Sequence, residues 1–286
     1  MHKFACIIAI GVLASVIALA QTAQKQEQVE IEQMTYPEIH SAIHDRGKTT
    51  VLVYNGGTEQ RGPHAVLGGH TFIARAVAPM IARKLGNALV APVLAFSVSP
   101  AGGVDAKWPG SVGLSPELFQ KVNEAVVDSM AKNGFKNIVL MGDHGGGQAD
   151  LNKLAESLDV KYASQGVHVY FCGDVYAKAG KDFDEWLKSK GLPLSGHAGI
   201  PDTSEMLYLQ PGPEQWVRNI YKTTQGDPLL PPGQQPDAKI PRINNGVIGD
   251  PRPATAEMGK LVVEIKVNDA AAQIKSLIAA KTSNRK

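Results

Sequence analysis

The sequence predicts an α/β fold with three layers, α/β/α, around a mostly parallel central sheet. Short apolar runs rich in β-branched residues recur along the chain, and segments of helical period lie between them. The turns that follow the runs carry glycine and polar side chains, as loops at the carboxyl edge of a parallel sheet do. Alternation of this kind builds βαβ units, and their crossovers put helices on both faces.

Residues 49–54 (TTVLVY) read as a buried strand that stops at Gly56-Gly57. Residues 71–85 are alanine-rich with helical period, and Gly86 closes them. Residues 88–94 form a second apolar run, where Pro92 points to an edge or a bulge. Ser115-Pro116-Glu117 opens a helix with an N-cap and a first-position proline, running to about Asn133. A strand at 137–141, a helix at 148–157 and a strand at 167–172 complete the alternation. Residues 226–253 are rich in proline and glycine and too long for a simple connection, which suggests a functional cover.

Composition narrows the function. The 286 residues are 43% hydrophobic and 20% charged, with a net charge of +2 that offers no footprint for nucleic acid. Lys3 followed by an uncharged run from Phe4 to Ala20, with Ala18-Leu19-Ala20 before Gln21, reads as a signal peptide over 1–20. A polar, flexible lead-in over 21–35 and a single domain over 36–286 follow. The mature protein is then exported, periplasmic or secreted, with no membrane contact after signal removal. Cys6 goes with the signal, leaving Cys172 as a buried small hydrophobe rather than half of a disulfide.

Three loops bring histidine and carboxylate to one edge of the sheet. The first carries Glu59, Gln60, Arg61, His64 and His70; the second Asp143 and His144; the third His197 and Asp202. Imidazole and carboxylate are the usual ligands of a catalytic zinc or a similar divalent ion.

These same blocks resemble the creatininase (creatinine amidohydrolase) family. Thr58-Glu59-Gln60-Arg61-Gly62-Pro63-His64 is similar to its T-E-Q-H-G-P-H block, and Gly142-Asp143-His144-Gly145-Gly146-Gly147 to its N-G-H-G-G-N block. His197-Ala198-Gly199 with Asp202-Thr203-Ser204 resembles H-A-G-x-x-E-T-S, and Gly246-Val247-Ile248-Gly249-Asp250-Pro251 resembles G-x-x-G-D-P. The blocks occur in order over about residues 36 to 260. The resemblance implies a creatininase-like α/β/α amidohydrolase, often hexameric, that opens cyclic or formyl amides with two divalent metals. It places Glu59 and His144 on ligands of one metal and Arg61 where a histidine of the second metal stands. It places His70 on the bridging aspartate, His197 on the catalytic histidine and Asp202 on an active-site glutamate. Gly146 falls on a carboxylate ligand of creatininase itself that is glycine in many relatives.

The departures carry chemistry. A carboxylate can bridge two cations, whereas a neutral imidazole offers one lone pair to one metal. Arg61 is always cationic and repels a second ion by about 4 kcal/mol per unit of ion charge at 4 Å and a dielectric of 20. One metal per chain is therefore expected, zinc ahead of manganese or iron, held by Glu59, His70 and His144 with Asp202 as a further ligand. Arg61 would clamp an anionic substrate or an oxyanion, and His197 would shuttle the proton during hydrolysis of a C–N bond in a small molecule. His64 is expected as a ligand, a neighbour of one or a substrate contact, and Asp143 as a substrate contact or as the group that orients His144 or caps the next helix.

Other features read more plainly. His40 and His44 are a solvated helix face, His168 is a hydrogen-bonded core histidine, and Trp108 and Trp186 are packing residues. Ser111 lacks the first glycine of a nucleophile elbow and no strong strand leads into it. The rival to an amidohydrolase is an exported ligand-binding protein that kept the fold and lost catalysis.

Overall fold

The structure is a computed structural model, and it describes residues 26–98, 109–231, 233–235 and 237–283. The segment read as a signal peptide, with Cys6, and Trp108 lie outside the described residues. At its centre is β1 (Thr50–Asn55), whose six residues are all buried, as a strand covered on both faces requires. β1 pairs in parallel with β2 (Ala88–Val90) on one side and with β5 (Asn137–Gly142) on the other. β5 pairs in parallel with β6 (His168–Phe171), giving the order β2-β1-β5-β6. The short strands β3 (Ser97–Val98) and β4 (Gly113–Leu114) make a separate parallel pair.

Helix boundaries follow local chemistry. α1 (Tyr36–His44) starts with a capping box between Thr35 and Glu38. α2 (Gly69–Leu85) ends at Gly86, whose φ of 84° is the left-handed conformation glycine adopts freely. α3 (Pro116–Lys132) is capped by Ser115 Oγ, which accepts from the Leu118 N–H. α4 (Gln148–Tyr162), α5 (Ala177–Ser189), α6 (Ile200–Leu209) and α7 (Ala256–Ser283) follow. α2, α6 and α7 pack together on one side of the sheet, and α3 with α4 on the other. Adjacent residues of β1 show the two directions: the Tyr54 hydroxyl reaches Asp143, while the Asn55 amide reaches Asn123 on α3. Among the described residues no helix is long and apolar enough to cross a membrane.

Two expectations change at the element level. The lead-in is not free from Glu27 onward: Val29 is fully buried, its carbonyl accepts from the Val90 N–H, and Glu30 bridges to Val90. One buried valine ties down a segment whose polar composition hides it. The 88–94 run forms strand only to Val90, at the edge of the main sheet that Pro92 had indicated.

Candidate metal centre

β1 and β5 end side by side, with Tyr54 opposite Met141 and Asn55 opposite Gly142. The turns that leave them therefore start at one edge. Glu59 projects from the first turn, His144 from the second, and His70 from the first turn of α2. Their ligand atoms all lie within 4.8 Å of one another. His70 Nε2 is 3.0 Å from Glu59 Oε1, His144 Nε2 is 3.0 Å from Oε2, and His197 Nδ1 is 3.3 Å from Oε1. One carboxylate thus faces three imidazoles. Burial favours the neutral acid, but the bonds from His144 and His70 and the nearby imidazoles outweigh it, so the Glu59 carboxyl sits far below its ordinary range.

Each ring is held from behind. His70 Nδ1 lies 2.9 Å from Asp143 Oδ2, which directs Nε2 toward Glu59. Gly146 presents its N–H at 3.0 Å and its carbonyl at 3.3 Å to His144 Nδ1, so that ring is supported in either tautomer. His197 Nε2 lies 2.6 Å from the Gln60 backbone carbonyl and 3.0 Å from the Gln60 side-chain amide nitrogen; in the tautomer that donates to the carbonyl, Nδ1 keeps its lone pair, 3.3 Å from Glu59 Oε1. Ala198, the next residue, has a φ of 56°, unusual for a residue with a side chain. Its N–H donates to Asp202 Oδ2 at 2.8 Å, fixing the turn that carries His197.

Beneath His70 lies a buried charge cluster. Lys266 Nζ sits 2.7 Å from Asp143 Oδ1 and 2.8 Å from Glu205 Oε1, and the Tyr54 hydroxyl donates to Asp143 Oδ1 at 3.2 Å. Burial alone would raise the Asp143 carboxyl, but Lys266 and His70 hold it down at about 2. Glu205 goes the other way, to about 7, because burial and the Asp143 and Asp202 charges outweigh its share of Lys266.

The structure brings Glu59, His70, His144 and His197 together and corrects three roles expected from sequence. Asp202 is not grouped with the three metal-ligand candidates; its Oδ2 lies 3.0 Å from Arg61 Nη1. Arg61 is 1% exposed and does not line the cavity over the centre, so it cannot touch a substrate there. Its guanidinium fits because residue 69 is glycine: a Cβ on Gly69 would meet Arg61 Nε at 2.6 Å. The Asp202 contact is bent away from hydrogen-bond geometry, and the Arg61 nitrogens have no hydrogen-bond acceptor among the described residues. Asp143 backs His70 rather than His144, because the strand register points it under α2. His64 is fully buried against Thr203, 2.9 Å from its hydroxyl, and desolvation lowers its pKa to about 4.

A Cβ on Gly146 would lie 2.0 Å from the Val98 carbonyl oxygen, so no side chain can serve as a ligand from this position. Ser111 Oγ accepts from the Gln60 N–H at 2.9 Å and supports the Glu59 turn. The 226–253 segment is pinned as well: the Ile248 N–H donates to the His197 carbonyl, and the Gly196 N–H to the Ile248 carbonyl. Trp186 stacks on Phe183, His168 bonds to Asp159, and His40 and His44 are exposed. The Cys172 thiol is buried, which pushes it up to about 12.

Sequence reasoning missed Tyr54, Glu205 and Lys266. Lys266 had a legible signal, since it occupies the buried stripe of α7 between Val262 and Ala270 at i, i+4 spacing. Glu205 follows directly on the His197–Ser204 block, within a buried run of α6.

Comparison with known proteins places this geometry in context. The family described as creatinine amidohydrolase matches residues 32–274. The mycofactocin precursor peptide peptidase of Mycolicibacterium smegmatis is 27% identical over 246 residues, covering 84% of this chain and 88% of that protein. Its Mycobacterium tuberculosis counterpart is 25% identical over 229 residues, covering 77% and 82%. A crystal structure of creatinine amidohydrolase superposes with a TM-score of 0.71 at 20% identity, covering 87% of this chain and 98% of that one. A manganese creatininase gives a TM-score of 0.70 at 20% identity, with coverage of 87% and 98%.

Proposed function

Because this chain belongs to the creatininase (creatinine amidohydrolase) family, we propose that it is a metal-dependent hydrolase of amide-type C–N bonds, cyclic amides and formamides included. The observation that carries this reading is the convergence of His70 and His144 Nε2 on the two oxygens of Glu59, with His197 beside them. Two imidazoles and a carboxylate, each ring fixed from behind, suit zinc first and manganese or iron next. Structures similar to this one include a manganese creatininase and a mutant creatininase of Zn-Zn type. A divalent ion held by Glu59, His70 and His144 supplies Lewis acidity, polarising a carbonyl and lowering the pKa of water to about 7.

One ion per chain fits the charges present. The carboxylate that would join a second site, Asp202, already faces the Arg61 cation, and Gly146 has no room for a ligand side chain. The remaining chemistry belongs to the chain's own groups. In the tautomer whose Nε2 hydrogen is directed at the Gln60 carbonyl, His197 would take the proton of the attacking water on Nδ1 and return it to the leaving nitrogen. Asp143 and Lys266 keep the His70 ring from turning. Arg61 acts through its charge and through Asp202.

Metal analysis combined with an amide-hydrolysis screen under chelation tests the reading. A chelator should abolish turnover, and zinc, manganese or iron should restore it at about one ion per chain. His197→Ala should lower kcat by about 100-fold or more while metal content stays. Absence of turnover with every metal would favour instead a ligand-binding protein on the same scaffold. The proposal extends to an exported protein, periplasmic or secreted; a mature N-terminus at Gln21 would support that.

A further inference from the structure

His40 and His44 take no part in the centre described above. They lie one turn apart on α1, at i, i+4 spacing on one exposed face. Their ring centroids are 4.4 Å apart and the ring planes are tilted by 46°. His64, His70, His144, His168 and His197 each engage a ring nitrogen in a hydrogen bond. Among the described residues the ring nitrogens of His40 and His44 have no such partner. Two uncommitted imidazoles therefore stand side by side in water.

The helix holds them as a pair. The capping box of Thr35 and Glu38 starts α1, and Ala42 and Ile43 bury its inner face. The backbone is thus fixed, while the exposed rings turn freely on it. Two imidazole nitrogens that share an ion at about 2.0–2.1 Å each lie about 3 Å apart, which rings this close reach by side-chain rotation alone. His44 is the last residue of α1, so an ion between the rings lies near the negative end of the helix dipole. The cationic neighbour Arg46 is already engaged, by the Glu27 carboxylate and the Glu38 carbonyl.

We infer that His40 and His44 form a second metal site, a surface chelate for copper(II) ahead of nickel(II) and zinc(II). Two imidazoles without a carboxylate or thiolate favour copper and hold manganese least. Among the described residues no third protein ligand joins the pair, so water completes the coordination and the ion exchanges readily. The site is separate from the centre at Glu59. A Cβ on Gly134 would lie 3.9 Å from His44 Cε1, and Gly134 stands three residues before β5, whereas His144 stands two residues beyond its end. The six residues of β5 put about 20 Å between those two edges of the sheet. The inference goes beyond the hydrolase reading and does not depend on it.

The test passes the untagged full chain, its centre loaded with zinc, over immobilised copper(II). A column-bound ion reaches surface imidazoles only, and the His70 and His144 side chains are 7% and 12% exposed. The native protein should be retained, and H44N should elute at a clearly lower imidazole concentration. A relocated pair, H44N with D45H, keeps the number of histidines but turns the second ring to another face, and should elute as H44N does. Titrating the zinc-loaded chain with copper(II) supplies a second readout. Kd should rise about tenfold or more in H44N, because the second imidazole no longer binds at high effective concentration. Electron paramagnetic resonance should show two coordinated imidazoles in the native protein and a single one in H44N. Both substitutions are at exposed positions, and melting temperatures check that the variants fold. A native protein that passes unretained, retention or Kd untouched by H44N, or a relocated pair held as strongly as the native one, overturns the chelate. None of these results bears on the hydrolase reading.

Discussion

Glu205 gives a sharp test of the charge cluster beneath the centre. Its carboxyl is 2% exposed and held at about 7 rather than 4.5. Burial is the largest cause. The charged and titratable groups that act on it include Lys266 from α7, Asp143 at the end of β5, Asp202 on its own helix, Tyr54 from β1 and the buried Arg61 guanidinium. A carboxyl whose pKa is raised by folding binds its proton more tightly in the folded state. Its contribution to stability is full below pH 4.5 and is lost as pH rises through 7. At about 1.4 kcal/mol per pH unit, the displacement from 4.5 to about 7 costs roughly 3 kcal/mol above neutrality. Glu205→Gln mimics the protonated acid at every pH and leaves Lys266 its partner Asp143. The variant should therefore match the native protein near pH 5 and exceed it at pH 8. With roughly 2–3 °C per kcal/mol for a chain of this size, the gain at pH 8 is about 6–9 °C in Tm. Thermal melts of the metal-free proteins between pH 5 and 9 read it directly. A variant less stable than the native protein at pH 8, or an offset that does not change with pH, would refute the argument and make Glu205 the true partner of Lys266.

Three further outcomes follow from the contacts. Asp143→Asn loosens the His70 ring and should weaken metal binding about 10- to 100-fold in a chelator competition; an affinity within twofold of native would mean that the ring is held otherwise. Arg61→Met leaves the Asp202 carboxylate without its cation and should cost about 3 kcal/mol in urea unfolding, whereas a loss below 1 kcal/mol would show that water already compensates the charge. At the opposite end of the sheet, burial would raise the Asp159 carboxyl, but bonds from Lys281, His168 and the Val169 N–H hold it below its ordinary 3.8. Its stabilisation is present above that value and lost as pH falls through the depressed one. Asp159→Asn should thus cost about 1 kcal/mol at pH 7, with the cost shrinking as pH falls below the ordinary carboxylate range, measured by denaturant melts at neutral and acid pH.

The sheet was legible because its strands are buried on both faces and therefore read as unbroken apolar runs, as 50–55 and 137–142 do. The meeting of Glu59, His70 and His144 was legible because all three follow strand ends or a helix start at one edge. What sequence could not show was direction. Asp143 adjoins His144 in the chain, yet the alternation of side chains at the end of β5 turns it under His70. Arg61 sits two residues from Glu59, yet the turn at Gly62, with a φ of 62°, and the space at Gly69 let it fold inward. Lys266 lies 123 residues from Asp143, and only the packing of α7 against α6 and α2 brings them together.

The enclosed guanidinium at Arg61 has a consequence for supply. A bound ion can be leached by a competing chelator or exchanged for a rival metal, and a starved cell must do without it. A side chain sealed at 1% exposure beside Asp202 cannot be lost in any of these ways. Part of the positive field around the centre is thus built in at translation and persists through scarcity, whatever the supply of metal ions.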